Sequence, residues 1–162
     1  LKSSPNRQKF SITIKTGVQF DELTRLLLEE KPDILHISMH GSIEKGGLLF
    51  EHKDNTLEPL SPESLTEMIH VANSHLDLLV LSACNSKAHA EVVAKLSNVA
   101  KVIGMNDFIP EKAAAYYAEQ FYRIYFYHQN VLQAHLSAKA SLKANNRIAD
   151  NTIFAEVPYI QK

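Results

Sequence analysis

Residues 77–84 run Asp77-Leu78-Leu79-Val80-Leu81-Ser82-Ala83-Cys84, an apolar segment that ends in small and polar residues and carries the only cysteine of the chain. A short, continuous apolar run with such boundaries is typical of a fully buried strand in a parallel sheet. The sequence therefore predicts an inner strand with a thiol at its carboxyl end.

A second stretch, residues 33–41, has the same outline: an acidic start, a short β-prone run, and a polar end at His40-Gly41. If the two strands are parallel neighbours, His40 and Cys84 lie at one edge of the sheet, where open α/β sheets bind ligands. A neighbouring imidazole activates a thiol as a nucleophile. We therefore predict that Cys84 is a nucleophile and His40 its base. The N–H groups of Gly41 and Cys84 are the candidate oxyanion hole.

Size and composition are those of a single globular domain, because the chain has 162 residues and 45% of them are hydrophobic. The 17 basic and 18 acidic residues are mixed along the sequence, which predicts no direct contact with nucleic acid or with a membrane surface. A lone cysteine and the absence of a leader pattern favour a cytoplasmic protein. The start at Leu1 rather than Met suggests an expressed fragment, a processed product or a piece of a longer polypeptide. No glycine-rich phosphate loop or serine hydrolase motif occurs, so no cofactor is predicted.

Strands and helices alternate along the chain after a polar arm or linker at residues 1–9. Alternating residues predict a strand at 10–15, and helical spacing predicts a helix over residues 20–30. The further predicted elements are a hairpin from Gly47, a helix begun by Ser61-Pro62, a helix over about 88–97, a strand over 100–105, helices begun at Pro110 and Asn130, and a strand at 154–157. Such alternation predicts an α/β fold with a mostly parallel central sheet between two helical layers.

Each candidate site residue also has a structural interpretation. Cys84 can be a small buried hydrophobe and His40 a turn residue. A helix start just beyond Cys84 and the polar loop at Asn85 and Ser86 favour the functional interpretation of the cysteine. Asp107 is either a helix-entry acid or an acid that pairs with a basic substrate side chain.

The histidines allow a further alternative, a metal site formed by His36, His40 and Cys84. We favour no metal, because no fourth ligand is spaced with these three. For most of the other histidines we expect solvated surface positions: His52, His70, His75, His89, His128 and His135.

The stretches His36-Ile37-Ser38-Met39-His40-Gly41 and Leu81-Ser82-Ala83-Cys84 resemble the His-Gly strand and the Leu-Ser-Ala-Cys signature of the CHAT family. This family contains caspase-like cysteine peptidases related to separases, metacaspases and caspases. The order of the elements is also similar from about Phe10 to Ile160. The resemblance implies a caspase-like three-layer αβα sandwich over residues 10–162, with His40 as general base and Cys84 as nucleophile.

The activity that this resemblance implies is cleavage of a dedicated protein substrate through a thioester. Members of the family, including bacterial defence proteases, are often C-terminal domains that follow a sensor or repeat region. A regulatory upstream domain or partner subunit is therefore expected. Asp107 matches an acid common near that position, whereas Asn85-Ser86 differs from the usual residues of the substrate loop. The family also has a strand before the one predicted at 10–15, which an absent segment would supply. The competing hypothesis is a catalytically silent CHAT-like interaction domain within a larger assembly.

Overall fold

The computed structural model describes residues 6–42, 47–52, 54, 56–72, 75–106, 108–145 and 159–161. The helices are α1 (Leu23–Glu30), α2 (Pro62–Val71), α3 (Lys87–Val93), α4 (Glu111–His128) and α5 (Val131–Ala144). The strands are β1 (Ile34–Ser38), β2 (Gly41–Ser42), β3 (Gly47–Glu51), β4 (Leu57–Leu60), β5 (Leu78–Ser82), β6 (Lys101–Ile103) and β7 (Tyr159–Gln161). The fold is therefore mixed α/β. Within the described residues, none of the helices is both long and apolar enough to cross a membrane.

Two compact units make up the chain, one from Thr16–Phe108 with Val157–Lys162 and the other from Leu1–Lys15 with Ile109–Glu156. The first unit contains both sheets and α1 to α3. In the second unit α4 and α5 pack against each other, and the buried Tyr117 hydroxyl lies 2.7 Å from Nδ1 of His135.

The larger sheet has the strand order β1-β5-β6-β7. Strands β1, β5 and β6 are parallel, as the sequence predicts, and β7 is antiparallel to β6. All five residues of β5 are buried, which agrees with its continuous apolar sequence. Helices α2 and α3 contact each other, and their buried residues join Leu79 and Leu81 of β5 in one hydrophobic cluster.

The smaller sheet contains β2, β3 and β4 in antiparallel order. The hairpin of β3 and β4 confirms the prediction from Gly47 onward, and β2 is a further short strand that the sequence patterns do not predict. After this hairpin, the Ser61 side chain accepts a hydrogen bond from the Ser64 N–H (3.1 Å) and Pro62 occupies the first turn of α2. Both features confirm the predicted helix start.

Residues 10–15 form no strand, so that prediction is wrong. Ile12 and Ile14 are exposed, and the Phe10 ring contacts that of Phe126 with a centroid distance of 4.4 Å. An alternating pattern supplies strand propensity, but packing and pairing decide whether a strand forms. The strand predicted at 154–157 lies outside the described residues, and β7 begins at Tyr159.

The pH dependence of stability offers a test of the environment of His36 on β1. Burial lowers the pKa of His36 from 6.5 to about 4, so the unfolded chain binds a proton there between these pH values and the folded chain does not. The free energy of unfolding should therefore fall as pH drops from 6.5 to 4, by up to about 3 kcal/mol from this residue. Urea unfolding at a series of pH values measures this slope.

In His36→Leu the slope should flatten, and the remainder belongs to other groups such as His89, whose pKa burial also lowers. The control is His70→Gln, which removes a histidine that is exposed on α2. An unchanged slope in His36→Leu would refute the assignment.

Candidate active site

The parallel pairing of β1 and β5 places the two predicted catalytic residues at one edge of the larger sheet. Ser38 at the end of β1 is the register partner of Ser82 at the end of β5, and the Met39 N–H contacts the Ser82 carbonyl oxygen at 3.4 Å. His40 lies two residues after the end of β1, and Cys84 lies two residues after the end of β5. The chain segments that carry the imidazole and the thiol are therefore neighbours.

Gly41 lies directly against the backbone of Cys84. A Cβ atom added to Gly41 would collide with the Cys84 carbonyl oxygen and would lie 3.2 Å from the Cys84 nitrogen. Glycine is thus required here by space, since any side chain would push the two segments apart. The same contact brings the two residues of the predicted oxyanion hole together.

The smaller sheet fixes the His40 segment from its other side. The Leu49 N–H donates to the His40 carbonyl oxygen (2.9 Å), and Gly41 pairs with Leu48 between β2 and β3. Backbone contacts therefore hold the residues before and after the imidazole, one set to β5 and the other to β3. His40 itself is exposed and Cys84 is half-buried, so both positions reach the surface.

The conformation of the turn after Cys84 accounts for the residue types at positions 85 and 86. Asn85 has a left-handed backbone (φ 56°), a conformation that asparagine tolerates better than most residues. Ser86 is fully buried, where its hydroxyl donates to the Leu81 carbonyl (3.0 Å) and accepts from the Met105 N–H (2.8 Å). The two bonds tie the turn to the end of β5 and to the segment that follows β6. We therefore interpret Ser86 as a residue that shapes the loop, whereas the predicted substrate contact would need an exposed side chain.

Two other predictions concern Asp107 and a metal. Asp107 lies outside the described residues. Among the side chains that the structure describes, no group of three or more His, Cys, Asp or Glu residues could hold a metal ion. His36, His40 and Cys84 are all described, so the structure gives no support to a metal site at these three residues.

His89 is buried and is an exception to the expectation that most of the remaining histidines are solvated. His135 in α5 is also buried. The helical spacing of His89 and the buried Val93 is a signal that could have found it, because residues four apart share a helix face. One ring nitrogen of His89, Nε2, lies 2.6 Å from the Leu60 carbonyl oxygen.

Comparison with known proteins gives one family and several relatives. Residues 3–155 match the family model of the CHAT domain. A Roc-COR-CHAT protease from an unknown prokaryotic organism is 33% identical over 157 residues, which is 92% of this chain and 14% of that protein. A probable protease from Gillisia limnaea is 33% identical over 150 residues, 90% of this chain and 26% of that protein. A Roc-COR-CHAT protease from Runella zeae is 32% identical over 92 residues, 56% of this chain and 10% of that protein. The chain thus spans about a quarter or less of the length of these relatives.

Substitution of Gly41 tests the contact with Cys84. Gly41→Ala should lower stability by about 1–3 kcal/mol, as overpacking does, and should slow alkylation of Cys84 because the segments are forced apart. Thermal unfolding and the rate of iodoacetamide labelling measure both effects. The control Ser38→Ala changes an exposed residue at the end of β1 and should change stability by less than about 0.5 kcal/mol. Wild-type stability and labelling in Gly41→Ala would contradict the close approach.

Proposed function

Because the chain belongs to the CHAT domain family, we propose that it is a cysteine endopeptidase domain with a dyad of His40 and Cys84. The names of the relatives include the word protease, which supports a peptidase activity. The proposal for this chain's own mechanism depends on the shared edge of β1 and β5. The contact of Gly41 with the Cys84 backbone is the observation that carries it.

The proposed reaction begins when His40 takes the proton of the Cys84 thiol. The sulfur then attacks the carbonyl carbon of the scissile peptide bond and forms a tetrahedral intermediate. The N–H groups of Gly41 and Cys84 stabilise the negative oxygen of this intermediate. When the intermediate collapses, the C–N bond breaks and the His40 imidazolium returns the proton to the leaving amine. A thioester remains on Cys84.

Hydrolysis of the thioester completes the cycle. His40 takes a proton from water, whose oxygen attacks the thioester carbonyl. The second tetrahedral intermediate then breaks its C–S bond, and the His40 imidazolium returns the proton to the departing Cys84 sulfur. The products are a carboxylic acid and the regenerated thiol. No metal or organic cofactor is needed for these steps.

Substrate recognition is the part of the proposal that involves Asp107 and Asn85. Asp107 follows β6, the strand beside β5 in the sheet order, and its carboxylate would pair with a Lys or Arg side chain before the cut. Asn85 immediately follows the nucleophile and is half-buried in the turn, where it would contact the bound peptide. Asp107→Asn should then weaken a preference for basic residues in cleavage of a peptide library.

The larger protein context is also proposed from the relatives. Two of them are named Roc-COR-CHAT proteases, and this chain covers 14% and 10% of their lengths. We infer a cytoplasmic protease domain controlled by an upstream sensor or partner subunit, with a dedicated protein substrate and a role in bacterial defence. We further infer that its complete fold is the caspase-like three-layer sandwich.

A catalytically silent interaction domain is the alternative function. One observation compatible with it is the approach of Gly41 to the Cys84 backbone, a contact that a non-catalytic fold would also need. Chemical reactivity of the thiol separates the two functions, because a silent domain has no reason to activate Cys84.

Paired substitutions of the dyad test the proposal in the full-length protein with its activator present. Cleavage of a peptide library should be undetectable in Cys84→Ala. It should fall by at least about a hundredfold in His40→Ala, because general base catalysis contributes that much. Mass spectrometry of the products measures both losses and reports the residue before the cut.

The matched control is His70→Ala, which removes an exposed histidine of α2 and should retain wild-type cleavage. Circular dichroism should show that the variants remain folded. Full activity in either Cys84→Ala or His40→Ala would refute the dyad, and no cleavage by the wild type would favour the interaction domain.

A further inference from the structure

His89 lies between α3 and the smaller sheet. Its side chain is 1% exposed, and its Nε2 atom lies 2.6 Å from the carbonyl oxygen of Leu60, the last residue of β4. A carbonyl oxygen can only accept a hydrogen bond, so the proton of the neutral ring is on Nε2. The Nδ1 atom is then buried without a hydrogen-bond partner among the described residues.

The absence of a side chain at Gly47 makes this contact possible. A Cβ atom on Gly47 would lie 2.6 Å from the Leu60 carbonyl oxygen and 3.2 Å and 3.3 Å from Cε1 and Nε2 of His89. The imidazole therefore touches β3 at Gly47 and bonds β4 at Leu60. It connects one helix to two strands of the smaller sheet.

The helix and the strands that His89 connects are each joined to one residue of the candidate dyad. Helix α3 follows Cys84, and β3 contacts the segment that carries His40. On one side, α3 begins three residues after Cys84, and Ser86 ties the intervening turn to β5 and to Met105, two residues beyond β6. On the other side, Gly47 pairs with Ser42 next to Gly41, and β3 donates the Leu49 N–H to the His40 carbonyl.

We propose that His89 is a positioning residue, whose hydrogen bond to Leu60 sets the distance between the His40 segment and Cys84. This inference rests on the proposed dyad. His89 touches no substrate in this account. It acts by holding the smaller sheet, and with it His40, against the helix that follows the nucleophile. A leucine would fill similar space without an unpaired Nδ1, but it would leave the Leu60 carbonyl without this donor.

The test uses iodoacetamide, which labels Cys84 without a substrate or an activator. In His89→Leu, Cys84 should be labelled between about threefold and a hundredfold more slowly than in the wild type. The larger figure is the cost of displacing a reacting group by about 1 Å. His89→Gln carries a side-chain N–H that can reach Leu60 and should restore the rate to within about twofold of wild type, as one hydrogen bond is kept. His89→Asn, a shorter amide, is the matched comparison if His89→Leu does not fold, and it should label slowly.

A double-mutant cycle separates positioning from mere stability. If His89 acts through His40, the variant with both His40→Ala and His89→Leu should label no more slowly than His40→Ala alone. Labelling is measured well below the unfolding midpoint of each variant. Wild-type rates in His89→Leu or His89→Asn, or independent losses that multiply in the double variant, would overturn the role of His89. If His40→Ala itself labels at the wild-type rate, the dyad fails, and the inference about His89 falls with it.

Discussion

The in-register parallel pairing of β1 and β5 is the constraint on which the candidate site depends. A strand register is strongly specified when its side chains are buried, because a slip of one residue turns every side chain to the opposite face. All five residues of β5 are buried, and Ile37 of β1 is buried as well. Burial holds β5 in the core, and the observed register pairs Ser38 with Ser82. This pairing decides where His40 and Cys84 leave the sheet.

The smaller sheet adds the second constraint, because a two-residue extension beyond a strand would otherwise be a loose loop. Pairing of β2 with β3 continues the backbone order past His40, and the bare Cα of Gly41 allows the chain to approach Cys84. On the other side, the left-handed Asn85 and the buried Ser86 turn the chain sharply into α3. Two backbone segments from distant parts of the sequence are thus fixed independently and meet at one edge.

Much of this arrangement follows from local sequence patterns. The structure contains the buried strand that the apolar run of β5 predicts and the helix start that Ser61-Pro62 predicts. Both predictions succeed because burial and capping depend on a few neighbouring residues. Residues 10–15 show the limit of such patterns. Their alternation describes a propensity, and the structure instead buries Phe10 partly against α4 and leaves Ile14 exposed.

Contacts between distant residues account for what the sequence did not predict. In the sequence His89 is one of several scattered histidines, because its hydrogen bond to Leu60 joins positions 29 residues apart. The sequence around Ser86 is that of a polar loop, yet its hydroxyl bridges Leu81 and Met105. A polar side chain in a loop can form hydrogen bonds either with water or with buried backbone groups. Only the tertiary structure distinguishes these two cases.

Chemical cross-linking with 1,3-dibromoacetone tests most directly whether the two side chains meet. This short reagent alkylates a thiol with one bromomethyl carbon and then a nearby imidazole with the other. Peptide mass spectrometry of the treated protein should identify a bridge between Cys84 and His40, and His40→Ala should give Cys84 with a single attachment. Attachment of wild-type Cys84 alone, or a bridge to another residue, would contradict the shared edge.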